Sequence, residues 1–234
     1  MGLFERLEHL IPSAPKKKFG FVISVSNEML FKEAELYIHQ LKVPDGYTVE
    51  IIPVRGASSM ANAFNQAIAQ SDASIKIYMH QDVSIINPNF LNDVLTIFGM
   101  DNKIGMIGVL GSPKVPASGV PWHGPRVGNL YALDAENAHY EGYAYRPEDG
   151  LTEVETLEGF LMVTRTDLPW REDLLQGWSY YDMSQSFEFR RKGYKLVVPE
   201  MKKPWIAHDT GITNLWKGYN DYRNAVLREY AEFF

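Results

Sequence analysis

The sequence predicts an α/β protein built on a doubly wound central sheet, and three observations predict it. The run Phe19 to Ser26, FGFVISVS, is apolar and β-branched almost without interruption, as expected of a strand covered on both faces. From there to Val83 the periodicity alternates as strand, helix, strand, helix, strand, the order that winds parallel strands into one sheet. The joints fall on turn-forming clusters, Pro44-Asp45-Gly46, Ser71-Asp72-Ala73-Ser74 and Asn87-Pro88-Asn89.

The elements follow in order. Leu3, Phe4, Leu7, Leu10 and Ile11 recur at helical spacing before Pro12, so residues 1–18 read as an amphipathic helix and a polar linker. After the first strand, a helix from Asn27 carries Met29, Leu30, Ala34, Tyr37, Ile38 and Leu41, and Tyr47 to Val54 is the second strand. Ser58-Ser59 caps a helix whose buried stripe is Ala61, Phe64, Ala67 and Ile68. Ile75 to Val83, IKIYMHQDV, is the third strand, with Ile75, Ile77 and Met79 alternating with Lys76, Tyr78 and His80. Pro88 opens a helix with Phe90, Leu91, Val94, Leu95 and Phe98, and Ile104 to Leu110 is again an apolar strand.

Residues 111–150 are rich in Gly, Pro, Asn and aromatics and lack periodicity; so long an irregular segment is usually functional or mobile, and Trp122-His123-Gly124-Pro125-Arg126 is its most reactive part. Thr156 to Thr164 reads as a strand, Met183 to Lys192 as a helix bearing Phe187 and Phe189, Tyr194 to Val198 as the last strand, and Pro204 to Asn214 as a loop carrying His208-Asp209. The main domain spans 19–212. In residues 213–234 a helix aligns Leu215, Tyr219, Tyr222, Val226, Tyr230 and Phe233, a stripe for packing or subunit contact. With the Leu3/Phe4/Leu7 face, this is more apolar surface than a monomer usually exposes, so a homo-oligomer is expected.

Composition narrows the function. With 234 residues, 45% of them apolar and 13% aromatic, the chain can bury one full core. A net charge of −6 argues against a nucleic-acid partner, and Lys16-Lys17-Lys18 and Arg190-Arg191-Lys192 are too short to reverse that. Without cysteine, a metal site must use carboxylate, imidazole, carbonyl or water. No apolar run approaches the roughly 20 residues of a spanning helix, and no secretory signal is visible, so a cytoplasmic protein is expected. Dinucleotide-binding, P-loop and serine-hydrolase motifs are absent from the sequence.

The chemistry gathers at the end of the third strand. Side chains two apart on a strand share a face, so His80 and Asp82 would project together from the carboxyl end of the sheet, where α/β sheets bind ligands. They read either as ligands of a divalent cation or as a strand cap followed by a turn. Three further pieces bear on this choice: Ser24-Val25-Ser26-Asn27 ending the first strand, Ala63-Phe64-Asn65-Gln66-Ala67 on the second helix, and Tyr181-Asp182 before a helix that closes at Lys192-Gly193-Tyr194. Over Phe19 to His208 the chain resembles a GT-A glycosyltransferase of family 2, of the streptomycin-biosynthesis StrF type, in which the usual D-x-D appears as H-Q-D within a Y-M-H-Q-D-V segment.

That resemblance implies a Rossmann-like GT-A fold with a mixed, mainly parallel sheet and helices on both faces. It implies an inverting enzyme that moves a sugar from a nucleotide-diphosphate donor to a hydroxyl of an unknown acceptor, a sugar or small molecule. Val25, Ser26 and Asn27 would lie at the nucleotide with Arg55 and Gln81, and Asn65 matches the A-R-N-x-G helix. Asp82, with His80 and His208, would hold the metal, manganese being preferred over magnesium because imidazole favours the later metals. Asp182 would be the base, and Glu158, Gly159, Trp178, Tyr181 and Trp122 would face the acceptor. The chain departs from the pattern at His80 for the first aspartate, Tyr181 for the E-D glutamate, Phe64 for the A-R-N arginine and Arg55-Gly56 for the acidic turn after the second strand. These departures leave a second reading open, a catalytically weak sugar-nucleotide-binding or scaffold protein on the same fold. A nucleotidylyltransferase would need a glycine-rich loop where Ser26-Asn27-Glu28-Met29 stands.

Overall fold

The first strand, β1 (Lys18–Val25), sets the main sheet: Phe19, Phe21, Val22 and Ile23 are wholly buried in it, as a strand covered on both faces requires. The structure is a computed structural model that describes residues 17–134, 139–145, 150–209 and 218–234. The expected N-terminal helix with its Leu3/Phe4/Leu7 face, Leu215, and the boundary between 212 and 213 lie outside these residues.

Helix α1 (Glu28–His39) begins at Asn27, whose side-chain oxygen accepts from the N–H groups of Met29 and Leu30. It buries Phe31, Ala34 and Ile38 but leaves Met29 82% exposed. Strand β2 (Thr48–Arg55) leads to α2 (Met60–Gln70), capped by Ser59. The expected third strand is shorter: β3 (Ile75–Met79) stops before His80, and after a turn at Gln81-Asp82 the chain resumes as β4 (Val83–Ile85). All five residues of β3 are buried, Lys76 and Tyr78 included, so both sets of the alternating residues are interior.

Helix α3 (Phe90–Met100) and strands β5 (Ile104–Gly108) and β6 (Leu110–Ser112) follow. The segment expected to be irregular instead contains a 3₁₀ turn at Pro121–His123 and strands β7 (Val127–Asp134) and β8 (His139–Tyr145). Beyond β9 (Leu151–Val154), the single strand read over 156–164 is two, β10 (Thr156–Leu157) and β11 (Leu161–Thr164), separated by Glu158-Gly159-Phe160. Helix α4 (Tyr181–Arg191) leads to β12 (Lys195–Pro199) and β13 (Ile206–His208), so His208 closes a strand rather than riding in a loop.

Among the described residues the main sheet has the order β2-β1-β3-β11-β5-β12-β9. Pairs β1/β2, β1/β3 and β5/β12 are parallel, while β11 is antiparallel to β3 and β5, and β9 to β12. A second sheet, β10-β6-β7-β13-β4 with β8 beside β7, is built largely from the stretch that lacked periodicity. The last helix, α5 (Tyr219–Glu229), turns Tyr219 and Val226, with Tyr230 just beyond, into the core, so this stripe packs on its own chain.

Lys76 is 1% exposed, with its ammonium 3.1 Å from the Ala73 carbonyl and 2.7 Å from Asp167. Losing one partner of a buried pair costs about 3–5 kcal/mol. Because Asp167 is 39% exposed, Asp167→Ala is expected at the lower end of that range, and Lys76→Met, which removes the charge and keeps the stem, at less. Urea denaturation checks the order; a larger loss for Lys76→Met would show that the pair is not what keeps the lysine inside.

Candidate active site

The site forms where the two sheets meet at the carboxyl end of β3. The His80 N–H donates to the Phe160 carbonyl at 3.0 Å, tying the turn to the segment before β11. Gln81 points back to the end of β1: its Oε1 accepts from the N–H groups of Ser26 (2.9 Å) and Asn27 (2.8 Å), and its amide donates to Ser26 Oγ at 2.9 Å. The Ser26-Asn27 turn is thus fastened to the turn that carries His80 and Asp82.

Strand β13 brings in the third group. It pairs antiparallel with β4, setting His208 opposite Val83, and the Asp209 N–H donates to the Asp82 carbonyl at 2.9 Å. Asp82 Oδ1 then lies 3.5 Å from His208 Nε2 and 3.7 Å from His80 Nδ1. These distances exceed a directed hydrogen bond. Asp82 Oδ1 and His208 Nε2 are buried with no hydrogen-bond partner. One ligand atom from each of the three residues falls within 4.8 Å of the others. Buried polar atoms left unsatisfied are costly, and one carboxylate with two imidazoles is a donor set for a divalent ion. The residues present therefore fit a cation.

The electrostatics agree. Burial pushes the His80 imidazole down to about 4, with His208 adding to the effect and Asp82 opposing it, so at neutral pH His80 is uncharged. Burial alone would raise the Asp82 carboxyl, but His208 and His80 beside it hold it below the usual range.

On the other side of His80, its Nε2 lies 2.6 Å from the Tyr181 hydroxyl. Gly159 is obligatory here, because a methyl group on it would overlap the Tyr181 ring. Asp182 is not the cap of α4. That place belongs to Tyr180, in left-handed conformation at φ 65°, and Asp182 sits in the first turn, its Oδ1 accepting from the Met183 N–H at 2.8 Å and its Oδ2 from the Gly159 N–H at 2.9 Å. Burial raises the Asp182 carboxyl above its ordinary value, and the two N–H bonds oppose this. Glu158 beside it is pushed up to about 7 by burial and by the Asp182 charge, against a loose pair with Arg126 at 3.7 Å.

Two cavities adjoin this cluster. A cleft of about 620 Å³ includes Ser24, Val25, Ser26, Gly56, Ala57, Met60 and Gln81, and a cavity of about 270 Å³ includes Trp122, Glu158, Gly159, Trp178, Tyr181, Asp182 and Tyr219. His80, Asp82 and Trp178 line both, and His208 lines the second. Most of the residues singled out from the sequence are therefore brought together. Arg55 is not: its guanidinium is held by Glu28 at 2.6 and 3.0 Å and lies over the Phe31 ring, outside the cleft. Asn27 is spent on capping α1, and Asn65 holds the Trp170 backbone and Glu172. Ser24 and Gly56 line the cleft as parts of the first-strand turn and of the Arg55-Gly56 departure, while Ala57 and Met60 carry no signal in the sequence. Tyr219 had been read as packing, which it does against Tyr180 while also lining the cavity.

A mixed sheet with a cleft at the carboxyl ends of its parallel strands and an acidic, imidazole-bearing turn beside it places the protein in the GT-A class of α/β folds. The chain belongs to the glycosyltransferase-like family, whose model, described as "Glycosyltransferase like family", matches residues 20–230. Among solved structures it is similar to the mannosyltransferase PcManGT from Pyrobaculum calidifontis in complex with GDP-Man and Mn2+, at 14% identity over 98% of this chain and 70% of that one, with a TM-score of 0.55. It is also similar to S. aureus TarS 1-349 in complex with UDP, at 13% identity over 90% of this chain and 65% of that one, TM-score 0.53. At such identities the likeness shows the fold. No curated protein matches the chain.

Glu158 yields a pH test. With its folded pKa near 7 against 4.5, the native state binds the extra proton between those values. The resulting stability is present below pH 4.5 and is lost as pH rises through 7. Glu158→Gln, which cannot ionise, is expected to gain about 3 kcal/mol over the unmodified protein at pH 8 relative to their difference at pH 4. Denaturation at the two pH values checks it; a pH-independent difference would mean that Glu158 ionises as freely as it does in the unfolded chain.

Proposed function

We propose that the protein is an inverting glycosyltransferase that moves a sugar from a nucleoside-diphosphate donor to an acceptor hydroxyl with a divalent cation, manganese favoured over magnesium. One observation carries the reading: the His80/Asp82/His208 cluster lies where two cavities join, with Asp182 in the wall of the second. The first cavity suits the nucleotide and the second the acceptor.

Asp82, with His80 and His208, would hold a divalent cation, which would supply positive charge to the leaving diphosphate. Gln81 keeps the Ser26 turn in place beside the donor. Asp182 takes the proton of the acceptor hydroxyl as that oxygen bonds to the anomeric carbon from the opposite face. The carbon–diphosphate bond breaks, and its electron pair leaves with the nucleoside diphosphate. The raised Asp182 pKa makes it a stronger base than an exposed aspartate. Trp122 and Trp178, 45% and 53% exposed, offer ring faces to an acceptor sugar. The StrF-type assignment belongs to the same proposal and rests on the Tyr78-Met79-His80-Gln81-Asp82-Val83 segment.

UDP and GDP are the donor-site probes, since the two similar structures hold UDP and GDP-Man. Calorimetry is expected to show one of them binding more tightly with Mn2+, and Asp82→Ala losing that increment. Equal affinity with and without Mn2+ in the unmodified protein would overturn the metal assignment.

Asp182→Asn is expected to slow transfer by about 10²-fold or more and to leave UDP or GDP binding in place. Asparagine is not innocent here, because both carboxylate oxygens accept backbone N–H bonds and its amide would face one of those donors; a stability loss of about 1–3 kcal/mol accompanies the change. Rates are therefore compared well below the variant's melting temperature, and full transfer activity would remove Asp182 as the base.

A further inference from the structure

We infer that Tyr181 is a positioning residue for the cation site, its phenol oxygen accepting a hydrogen bond from His80 Nε2–H so that His80 Nδ1 is left bare toward Asp82 and His208. The inference deepens the proposed function and rests on its cation site.

The argument begins with the two nitrogens of one ring. A neutral imidazole carries a single proton, and the nitrogen that carries it cannot be a ligand. Nδ1 is the nitrogen on the side of the cluster, 3.7 Å from Asp82 Oδ1, while Nε2 is 2.6 Å from the Tyr181 hydroxyl. If the phenol donated to Nε2, the ring proton would sit on Nδ1 and point where the ligand atoms converge. If Nε2–H donates to the phenol, Nδ1 presents its lone pair there, beside the unsatisfied Asp82 Oδ1 and His208 Nε2. Only the second arrangement admits a cation.

The phenol is held for this task. It is buried, and Gly159 leaves room for its ring. Phe64 and Trp170 pack against that ring at centroid distances of 5.9 and 6.1 Å. An ordinary tyrosine hydroxyl keeps its proton at neutral pH, so the oxygen meets His80 as a neutral hydroxyl. Tyr181 thus does for the imidazole what an outer-shell carbonyl or carboxylate does at other metal sites, without bringing a further negative charge.

The test uses Mn2+ alone, followed by electron paramagnetic resonance of the free ion, on the unmodified protein, Tyr181→Phe, His80→Ala and the double variant. Tyr181→Phe keeps the ring and removes only the oxygen, and circular dichroism and thermal melting check that it is folded. It is expected to bind Mn2+ about 10–100-fold more weakly, the usual cost of an outer-shell partner. In the His80→Ala background, adding Tyr181→Phe is expected to change the affinity less than twofold, because no imidazole remains to be oriented. Equal Mn2+ affinity for the unmodified protein and Tyr181→Phe would overturn the inference and leave the cation site standing. So would an undiminished Tyr181→Phe effect in the His80→Ala background, which would assign Tyr181 a merely structural part. No Mn2+ binding by the unmodified protein would overturn the cation site itself, and the inference with it.

Discussion

The pairing of β13 with β4 is the interaction on which the site depends. Asp82 and His208 are far apart in the chain, and what joins them is a short antiparallel ladder, Ile206 opposite Ile85 and His208 opposite Val83, extended by the Asp209 N–H on the Asp82 carbonyl. Buried backbone groups must find partners, so once β4 leaves the turn after His80 it needs a strand alongside, and β13 is that strand. Its other edge pairs with β7, which pairs in turn with β6 and β8. The second sheet, through His208 on β13, supplies one of the three groups of the cluster.

Three of the four departures from the family-2 pattern, at His80, Tyr181 and Phe64, form a contiguous set, while Arg55 lies apart on Glu28. His80 touches Tyr181 through the phenol, and Tyr181 packs edge-on against Phe64, which itself lies 4.9 and 4.7 Å from the rings of Tyr78 and Trp170. An arginine at 64 and a glutamate at 181 would put two charges into what is here an aromatic wall, where burial penalises each. An aspartate at 80 would leave the phenol without its imidazole partner. Each of the three residues makes sense beside the other two, so the pattern looks eroded one position at a time but coherent as a packed unit.

How much of this was legible follows from where each signal lies. The alternation of β1, α1, β2, α2 and β3 was visible because apolar periodicity reports burial on the sheet, and the caps at Asn27 and Ser59 mark their own helices. The ends of β3 and β10 were misread because a bend between buried residues keeps the apolar run going: Val83 and Phe160 are as buried as the strands beside them, yet His80–Asp82 and Glu158–Phe160 are turns. The second sheet escaped notice because β4, β6, β10 and β13 are only two or three residues long and β7 carries a glycine near its start; Gly128, at φ 139° and pressed against the Val109 carbonyl, sits in a conformation only glycine adopts readily. Arg55 lies elsewhere for a different reason, since nothing in the sequence shows that Glu28, the first residue of α1, claims its guanidinium.

The conformation of Tyr180 ties together the wall of the cavity lined by Glu158, Tyr181 and Asp182. A left-handed non-glycine residue costs about 1–3 kcal/mol and persists only where its surroundings hold it. Here the Tyr180 hydroxyl donates to the Gly119 carbonyl at 3.0 Å, and its ring lies 4.9 Å from that of Tyr219 on α5. Helix α5 is fixed in turn by Glu229, which pairs with Arg171 at 2.9 Å and with Arg191 at 3.0 Å, while Ser184 meets Tyr230 at 2.7 Å inside the core. The sharp entry into α4 turns the chain so that Asp182, two residues on, reaches the Gly159 N–H while Tyr181 faces His80. The candidate base and the ring that meets the cation cluster are thus set by one strained residue, and that residue is held by the C-terminal helix.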